Sequence, residues 1–311
     1  MIDDDVPVTD IVMPGSHDSG TYGMLFLGET QSLSFGDQMR SGASYFDVRI
    51  RRTGEGELRF YHGILTSENG YGDFLSDTVR FLEENPTEFL ILDYQHRDPA
   101  GDREFDNTLF SMLLDALGEE RILCAPDGMS DLDYVDSLTL GEARGKVLVT
   151  FGADARSTDY DFVMVRDSDG GTRAGSVLHS PYDEGNNVQS EEYVNRVFGE
   201  YIAQYSAYGG GICVLQTQLL AGNDNGFVPQ SMEEVHNPNV TAWIKSCKDD
   251  PDLLGDLNII MRDYLTPRKC IDIIELNKYK NFVAEEHASA FDALVAADDD
   301  IADAIVTDGD L

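Results

Sequence analysis

Two histidines, two aspartates and an arginine occupy positions from which a chain could do acid-base chemistry. His17 and Asp18 follow a short apolar run in Ile11-Val-Met-Pro-Gly-Ser-His17-Asp18-Ser-Gly20, and His62 ends the run Leu58-Arg-Phe-Tyr-His62. Midway lies Tyr45-Phe-Asp47-Val-Arg49-Ile-Arg51-Arg52. If that segment is a strand, Asp47, Arg49 and Arg51 share one face, because side chains alternate with period two. A proton acceptor, a proton donor and a guanidinium would then converge. Such a set suits reaction at phosphorus: the base activates a hydroxyl, the acid protonates the leaving oxygen, and the arginine offsets phosphoryl charge.

These groups need a scaffold that gathers them from distant parts of the chain. Apolar runs suited to strands fall at 8–14, 44–50, 58–62, 89–95, 146–151, 211–218 and 258–264, with an eighth at either 162–166 or 176–180. Helix-like spacing of apolar residues separates them at 73–82, 105–117, 190–205, 240–247 and 268–279. Strand then helix, repeated, implies a parallel sheet. Seven or eight units predict a distorted (β/α)8 TIM barrel of the α/β class, a single domain over residues 1–284, with an open doubly wound sheet as the runner-up. His17, Asp47, Arg49, His62, Gln95 and Asp263 all fall near C-terminal ends of predicted strands, the face on which barrel active sites are built. The stretch 152–187, rich in Asp, Ser and Gly, reads as loops over that face. Residues 285–311 read as an acidic extension, with a short amphipathic helix at 290–297 and a solvated end.

The order of motifs is more specific than any one of them. Pro-Gly-Ser-His-Asp-Ser-Gly, then Gln38-Met-Arg-Ser-Gly-Ala-Ser-Tyr-Phe-Asp-Val-Arg49, then Tyr-His-Gly63, then Phe81-Leu-Glu-Glu-Asn-Pro-Thr-Glu-Phe-Leu-Ile-Leu92 resembles the X domain of phosphatidylinositol-specific phospholipase C, most of all its bacterial, metal-independent branch. Ala143-Arg-Gly-Lys-Val-Leu-Val149 and Ile259-Ile-Met-Arg-Asp263-Tyr264 extend the resemblance over roughly residues 8 to 265. The resemblance implies His17 as the general base, oriented by Asp263, and His62 as the general acid, partnered by Asp18. A carboxylate on one ring nitrogen fixes the tautomer and raises the basicity of the other.

Departures from the family pattern carry information of their own. Where the calcium-dependent branch has acid-x-acid, this chain reads Asp47-Val-Arg49, so a fixed positive charge stands in the slot of a metal ligand. The expectation is no metal and no cofactor, with Arg49 acting on the phosphate. Gln95 stands where the bacterial enzymes offer lysine to the inositol ring, and Phe151 and Gly152 stand where an arginine is expected. Headgroup contacts therefore fall to Asp47 and Gln95, and to Arg166, Tyr182 and Asp183 in the loop region.

Next to His17, Tyr22-Gly-Met24-Leu25-Phe26-Leu27-Gly28 sets four apolar side chains side by side, which suits either contact with a bilayer surface or a helix capping the barrel. Composition bounds the partners. Acids outnumber bases 58 to 22, for a formal charge of −36. By type these are 38 Asp and 20 Glu against 16 Arg and only 6 Lys. Self-repulsion at this density is relieved when salt shortens the Debye length, which points to a high-salt organism, a merely acidic protein being the alternative. No basic patch suits nucleic acid. The expected partner is a phospholipid met transiently at a membrane surface, and the expected state is monomeric. Cysteines 124, 213, 247 and 270 show no CxxC spacing, with Cys213 and Cys270 in apolar runs. Neither a signal peptide nor a membrane span is evident, which suits a secreted form with its leader removed or a cytoplasmic protein.

The expected activity is a phospholipase C-like lyase that cleaves the glycerol-phosphate bond of an inositol phospholipid to a cyclic inositol phosphate and a lipid alcohol. The alternatives are a metal-dependent glycerophosphodiester phosphodiesterase or sphingomyelinase D-like enzyme, and a non-catalytic lipid-binding barrel.

Overall fold

The computed structural model describes residues 2–152, 158–167, 174–182, 191–219 and 226–283, with 287, 289, 290, 292, 293 and 296 beyond them. Its ten strands are β1 (Met13–Ser16), β2 (Tyr45–Arg52), β3 (Leu58–His62), β4 (Leu65–Gly70), β5 (Leu90–Asp98), β6 (Val147–Phe151), β7 (Val163–Val165), β8 (Leu178–His179), β9 (Ile212–Gln216) and β10 (Ile259–Arg262). Eight of them follow the order β7-β6-β5-β2-β1-β10-β9-β8, and the isolated bridge Arg166↔Leu178 joins the two ends of that row. Every pairing along the row is parallel. The result is the (β/α)8 barrel, held at one seam by a single bridge; the open doubly wound sheet is excluded.

The strand at 58–62 is where the expectation needs correction. It is not a member of the barrel: β3 pairs antiparallel with β2 and with β4, forming a hairpin that leans on the barrel's edge. Only five residues, Thr53-Gly54-Glu55-Gly56-Glu57, separate β2 from β3, too few for the crossover that a parallel strand requires. The eighth barrel position is filled because both candidate segments, 162–166 and 176–180, contain strands. At the N-terminus the strand begins at Met13 rather than at 8, and Val6, Val8 and Ile11 instead pack with the apolar layer beneath the barrel.

Period-two alternation sorts the strand side chains into layers. Phe46, Val48, Leu90, Leu92, Val147 and Val149 face the helices Tyr71–Glu84 and Arg103–Leu117. Tyr45, Ile91, Leu148, Ile212, Val214 and Met261 fill another layer in the barrel interior. Cys213, Leu215 and Ile260 meet the helices Glu191–Tyr205 and Pro229–Ser246. The helix expected at 240–247 thus begins eleven residues earlier, at Pro229, and the one expected at 268–279 is two, Pro267–Ile274 and Leu276–Tyr279. Above the apolar interior sits a buried polar layer centred on Asp93, which accepts hydrogen bonds from Tyr45 Oη (2.6 Å) and Thr150 Oγ1 (2.8 Å). Burial pushes the Asp93 carboxyl up despite Arg166 beside it. The four cysteines are free thiols, three of them buried. Among the described residues, no helix is long and apolar enough to cross a membrane. Asp183 and most of the extension 285–311, including 291, 294, 295 and 297 of the expected helix, lie outside the described residues.

Candidate active site

Each side chain of the site is aimed by a constraint of its own strand end. His17 and Asp18 leave β1 in a turn in which Asp18 takes φ 43°, a left-handed conformation costly to a residue with a Cβ. The Asp47 carboxylate holds that turn by accepting from the Asp18 backbone N–H at 3.0 Å. Two residues on, Gly20 has no room for a side chain, since a Cβ there would lie 2.0 Å from the Phe60 ring. Asp263 leaves β10 in a similar turn, with Tyr264 at φ 45°. Lys269 Nζ donates to the carbonyls of Asp263 (2.9 Å) and Tyr264 (2.8 Å). Gln31, fully buried, ties the two strand ends together by donating to the carbonyls of His17 and Arg262, both at 2.9 Å.

The antiparallel hairpin brings the second histidine back. Phe60 is paired with Ile50, so His62, two residues further along a strand running the opposite way, returns to the level of the Asp47–Arg49 segment. Its Nδ1 donates to the Gly28 carbonyl at 3.0 Å, leaving Nε2 turned to Asp18 Oδ2 at 3.6 Å. His17 is held in a matching way. Its Nδ1 lies 2.6 Å from Asp263 Oδ1, and because a carboxylate only accepts, Nδ1 carries the proton. His17 Nε2 is then the basic nitrogen, 3.4 Å from Asp18 Oδ2 and 3.3 Å from Arg49 Nη2. One carboxylate, Asp18, therefore stands between the two imidazoles.

Arg49 is fixed from several sides. Its guanidinium reaches Asp18 Oδ1 (2.7 Å), Asp47 Oδ2 (2.8 Å) and Gln95 Oε1 (3.0 Å). Burial opposes charge on His17, but Asp18 and Asp263 outweigh burial and the repulsion of Arg49, and the imidazole is raised from 6.5 to about 9. Burial likewise opposes charge on Asp47, yet Arg49 and His17 hold its carboxyl below the ordinary carboxylate value. His17, Asp18 and Asp47 also present ligand atoms within 4.8 Å of one another, a spacing that could hold a metal ion, although the Arg49 guanidinium already lies against both aspartates.

These groups open onto one cleft that also meets Gln95, Tyr182, Gln216, Gln218 and Phe227. Two of the expected substrate residues are placed elsewhere. Arg166 is 2% exposed, with its guanidinium 3.2 Å from Asp93 inside the barrel, so it belongs to the buried polar layer. Asp47 is fully buried and serves Arg49 and the Asp18 turn. The run 22–28 forms turns, which rules out the capping helix, and leaves Leu25 69% and Phe26 62% exposed while Leu27 borders the cleft. Met24 is half-buried, with its methyl end beside Gly28. Gln31, Gln216, Gln218 and Lys269 were not singled out by the sequence. A lone amide in a loop or a lysine on an amphipathic helix has no period or spacing to mark it.

The parallel eight-stranded barrel thus brings a carboxylate-held imidazole and a second imidazole to one cleft. Comparison with known proteins gives the likeness. No known family profile matches the chain. Over 96 residues it is 31% identical to 1-phosphatidylinositol phosphodiesterase of Staphylococcus aureus strain Newman, covering 29% of this chain and 31% of that protein. It is 28% identical over 315 residues to PI-PLC X domain-containing protein 2 of Mus musculus, covering 88% of this chain and 84% of the relative. The fold matches phosphatidylinositol-specific phospholipase C from Listeria monocytogenes with a TM-score of 0.66 at 17% identity, over 89% of this chain and 96% of that one. A double-mutant form of the S. aureus enzyme gives 0.66 at 20% identity, over 91% and 95%. The sequence match thus spans about a third of the bacterial relatives' length, while the fold match spans nearly all of it. In sequence and in fold the chain is similar to phosphatidylinositol-specific phospholipase C proteins.

Proposed function

We propose that the protein is a phosphatidylinositol phospholipase C-like lyase. The observation that carries this reading is Asp18 Oδ2 lying 3.4 Å from His17 Nε2 and 3.6 Å from His62 Nε2, with Arg49 against the same carboxylate. In the proposed reaction His17 Nε2 takes the proton of the headgroup hydroxyl next to the phosphate. The resulting oxygen attacks phosphorus, and His62, protonated at Nε2, gives its proton to the departing glycerol oxygen. The products are a cyclic headgroup phosphate and a diacylglycerol or equivalent lipid alcohol. Arg49 offsets the charge that grows on the phosphoryl oxygens, and Asp263 supports the imidazolium formed on His17. Gln95 and Tyr182 are the remaining expected headgroup residues that border the cleft.

The apolar rim supports a substrate held in a lipid surface. Leu25 and Phe26 project beside the cleft, and Ile64, 93% exposed at the tip of the β3–β4 hairpin, lies in the loop next to Leu65, which packs against Gly28. Burying each of these side chains in lipid would contribute about 1–2 kcal/mol. Membrane binding is also the subject of work on the S. aureus enzyme of the same fold.

A second reading, a metal-dependent phosphodiesterase, draws on the ligand spacing of His17, Asp18 and Asp47. Cleavage of a phospholipid panel in molar KCl with EDTA separates the two. The lyase reading expects a cyclic phosphate from the inositol lipid with chelator present. Loss of activity in EDTA and its return with calcium or magnesium would establish the metal-dependent one, and no cleavage of any lipid under either condition would leave only a binding barrel.

A further inference from the structure

Asp263 can orient His17 only if the backbone that carries it is fixed, and that backbone lies outside the sheet. β10 ends at Arg262, so the carbonyls of Asp263 and Tyr264 fall beyond the parallel ladder, in a turn where Tyr264 takes φ 45°. A residue with a Cβ keeps such a conformation only where its surroundings hold it. Two hydrogen bonds hold the turn from one side. The Tyr264 N–H donates to the Thr30 carbonyl at 2.7 Å, and the Leu265 N–H donates to Gln31 Oε1 at 2.9 Å.

Lys269 holds it from the other. Of the six lysines, all among the described residues, Lys269 alone is buried. It stands in the first turn of the helix Pro267–Ile274, where Thr266 Oγ1 accepts from its backbone N–H at 3.2 Å. A helical side chain leans toward the N-terminus of its helix, which brings this ammonium back over the turn. Nζ donates to the carbonyls of Asp263 (2.9 Å) and Tyr264 (2.8 Å) and to Glu233 Oε1. These three groups can only accept, so they take all three protons of an ammonium, and a neutral amine would fall one short. Burial and Arg262 oppose that charge, while Glu233 and Asp263 support it. Glu233 comes from the helix Pro229–Ser246 and also meets Arg262 Nη2 at 3.2 Å. The ammonium therefore joins two helices to the backbone beneath Asp263. With its protons committed, none is left to compete with His17 for the Asp263 carboxylate.

We propose that Lys269 is a positioning residue for the cleavage reaction, its ammonium clamping the Asp263 and Tyr264 carbonyls so that the Asp263 carboxylate stays 2.6 Å from His17 Nδ1. The role rests on the lyase reading above for the reaction it serves. Lys269 does not border the cleft, so it acts on the base through Asp263 and not on the substrate. A buried ion pair that merely stabilised the fold would change the melting temperature and leave the turnover of the folded protein alone.

Lys269→Met keeps most of the side-chain length and removes all three donors. On phosphatidylinositol vesicles it should lose about 10- to 10²-fold in kcat with KM little changed, the scale of a misplaced catalytic group. In the Asp263→Asn background, where no carboxylate is left to aim, the same substitution should cost almost nothing further. The low-field NMR signal of the His17 Nδ1 proton, read in the substrate-free protein, should be present in the wild type and lost or moved upfield in Lys269→Met. Glu233→Gln combined with Lys269→Met leaves no carboxylate in place of the broken pair and gives the same readings should the single variant not fold. An unchanged kcat, an equal loss in both backgrounds, or a His17 signal that is absent from the wild type or unmoved in the folded variant overturns the proposal. The lyase reading fails separately. A wild type that never cleaves phosphatidylinositol vesicles, but whose His17 signal moves in Lys269→Met, keeps the clamp and loses the lyase; cleavage with an unmoved signal does the reverse.

Discussion

Asparagine in place of Asp263 keeps the shape of the side chain and removes its charge, so its first effect falls on the proton affinity of His17. The base works only when deprotonated, and His17 sits at about 9 because Asp18 and Asp263 outweigh burial and Arg49. Because the proposed reaction also needs His62 protonated, the rate profile reports two groups at once, and the His17 ring is followed directly by NMR, where its midpoint should fall near 9. A carboxylate at hydrogen-bond distance shifts a neighbouring pKa by about 1–3 units, and Asp263 supports the charged ring both by its charge and by its hydrogen bond while Asp18 remains in the variant. The His17 midpoint in Asp263→Asn should therefore fall by about one unit or more. Loss of the carboxylate also frees the ring to adopt the wrong tautomer, which should lower kcat/KM by about 10² to 10⁴. Ring-proton chemical shifts titrated in fixed molar KCl give the midpoint, and initial rates on phosphatidylinositol vesicles give the loss. A His17 midpoint that is the same in both proteins, or displaced upward in the variant, would refute the assignment of Asp263 as the group that sets the protonation of His17.

Replacing His17 or His62 by alanine should each cost about 10² to 10⁴ in turnover with the melting temperature little changed; a variant keeping more than about a tenth of the activity would remove that histidine from the chemistry. Leu25→Ser, Phe26→Ser and Ile64→Ser together should weaken sedimentation with neutral vesicles about tenfold or more while sparing a short-chain soluble substrate. Equal losses on both substrates would mean that the rim shapes the cleft instead of meeting lipid. With 58 acids against 22 bases, the unfolding midpoint should climb steeply between about 0.1 and 2 M KCl. A midpoint flat over that range would end the high-salt reading.

What the sequence made legible was whatever repeats or is spaced by a backbone period. The alternation in Leu90-Ile-Leu-Asp-Tyr-Gln95 and the helical stripe of 73–82 fixed the barrel because burial enforces both periods. The hairpin at 58–70 was misread because a short apolar run looks the same in a parallel and an antiparallel pair; the clue was the five-residue gap from β2. His17, His62, Arg49 and Asp263 were found through the order of motifs, and the structure gathers them at one mouth. Arg166 was misplaced because one more residue along a strand end decides whether a side chain faces the cleft or the polar layer beneath it. Gln216 and Gln218 at the same cleft went unmarked because their hydrogen bonds run to each other and to Ser180, thirty-six residues away from Gln216.

The charges at the mouth explain why a guanidinium suits the Arg49 position. Asp18 and Asp47 lie against Arg49 while Asp18 and Asp263 lie against His17, so His17 is drawn to hold its proton and is raised to about 9. A base that holds its proton too firmly cannot take another. Arg49 opposes that tendency, since its proximity to His17 Nε2 disfavours the charged ring, and its side chain borders the cleft that would receive the phosphate in the proposed reaction. One side chain thus tempers the base and prepares for the anion. Lysine, a point charge without the fork, could not hold Asp18 and Asp47 together while keeping a nitrogen beside His17. The geometry at position 49 is therefore specific to arginine, and the aspartates that crowd it hold it in place.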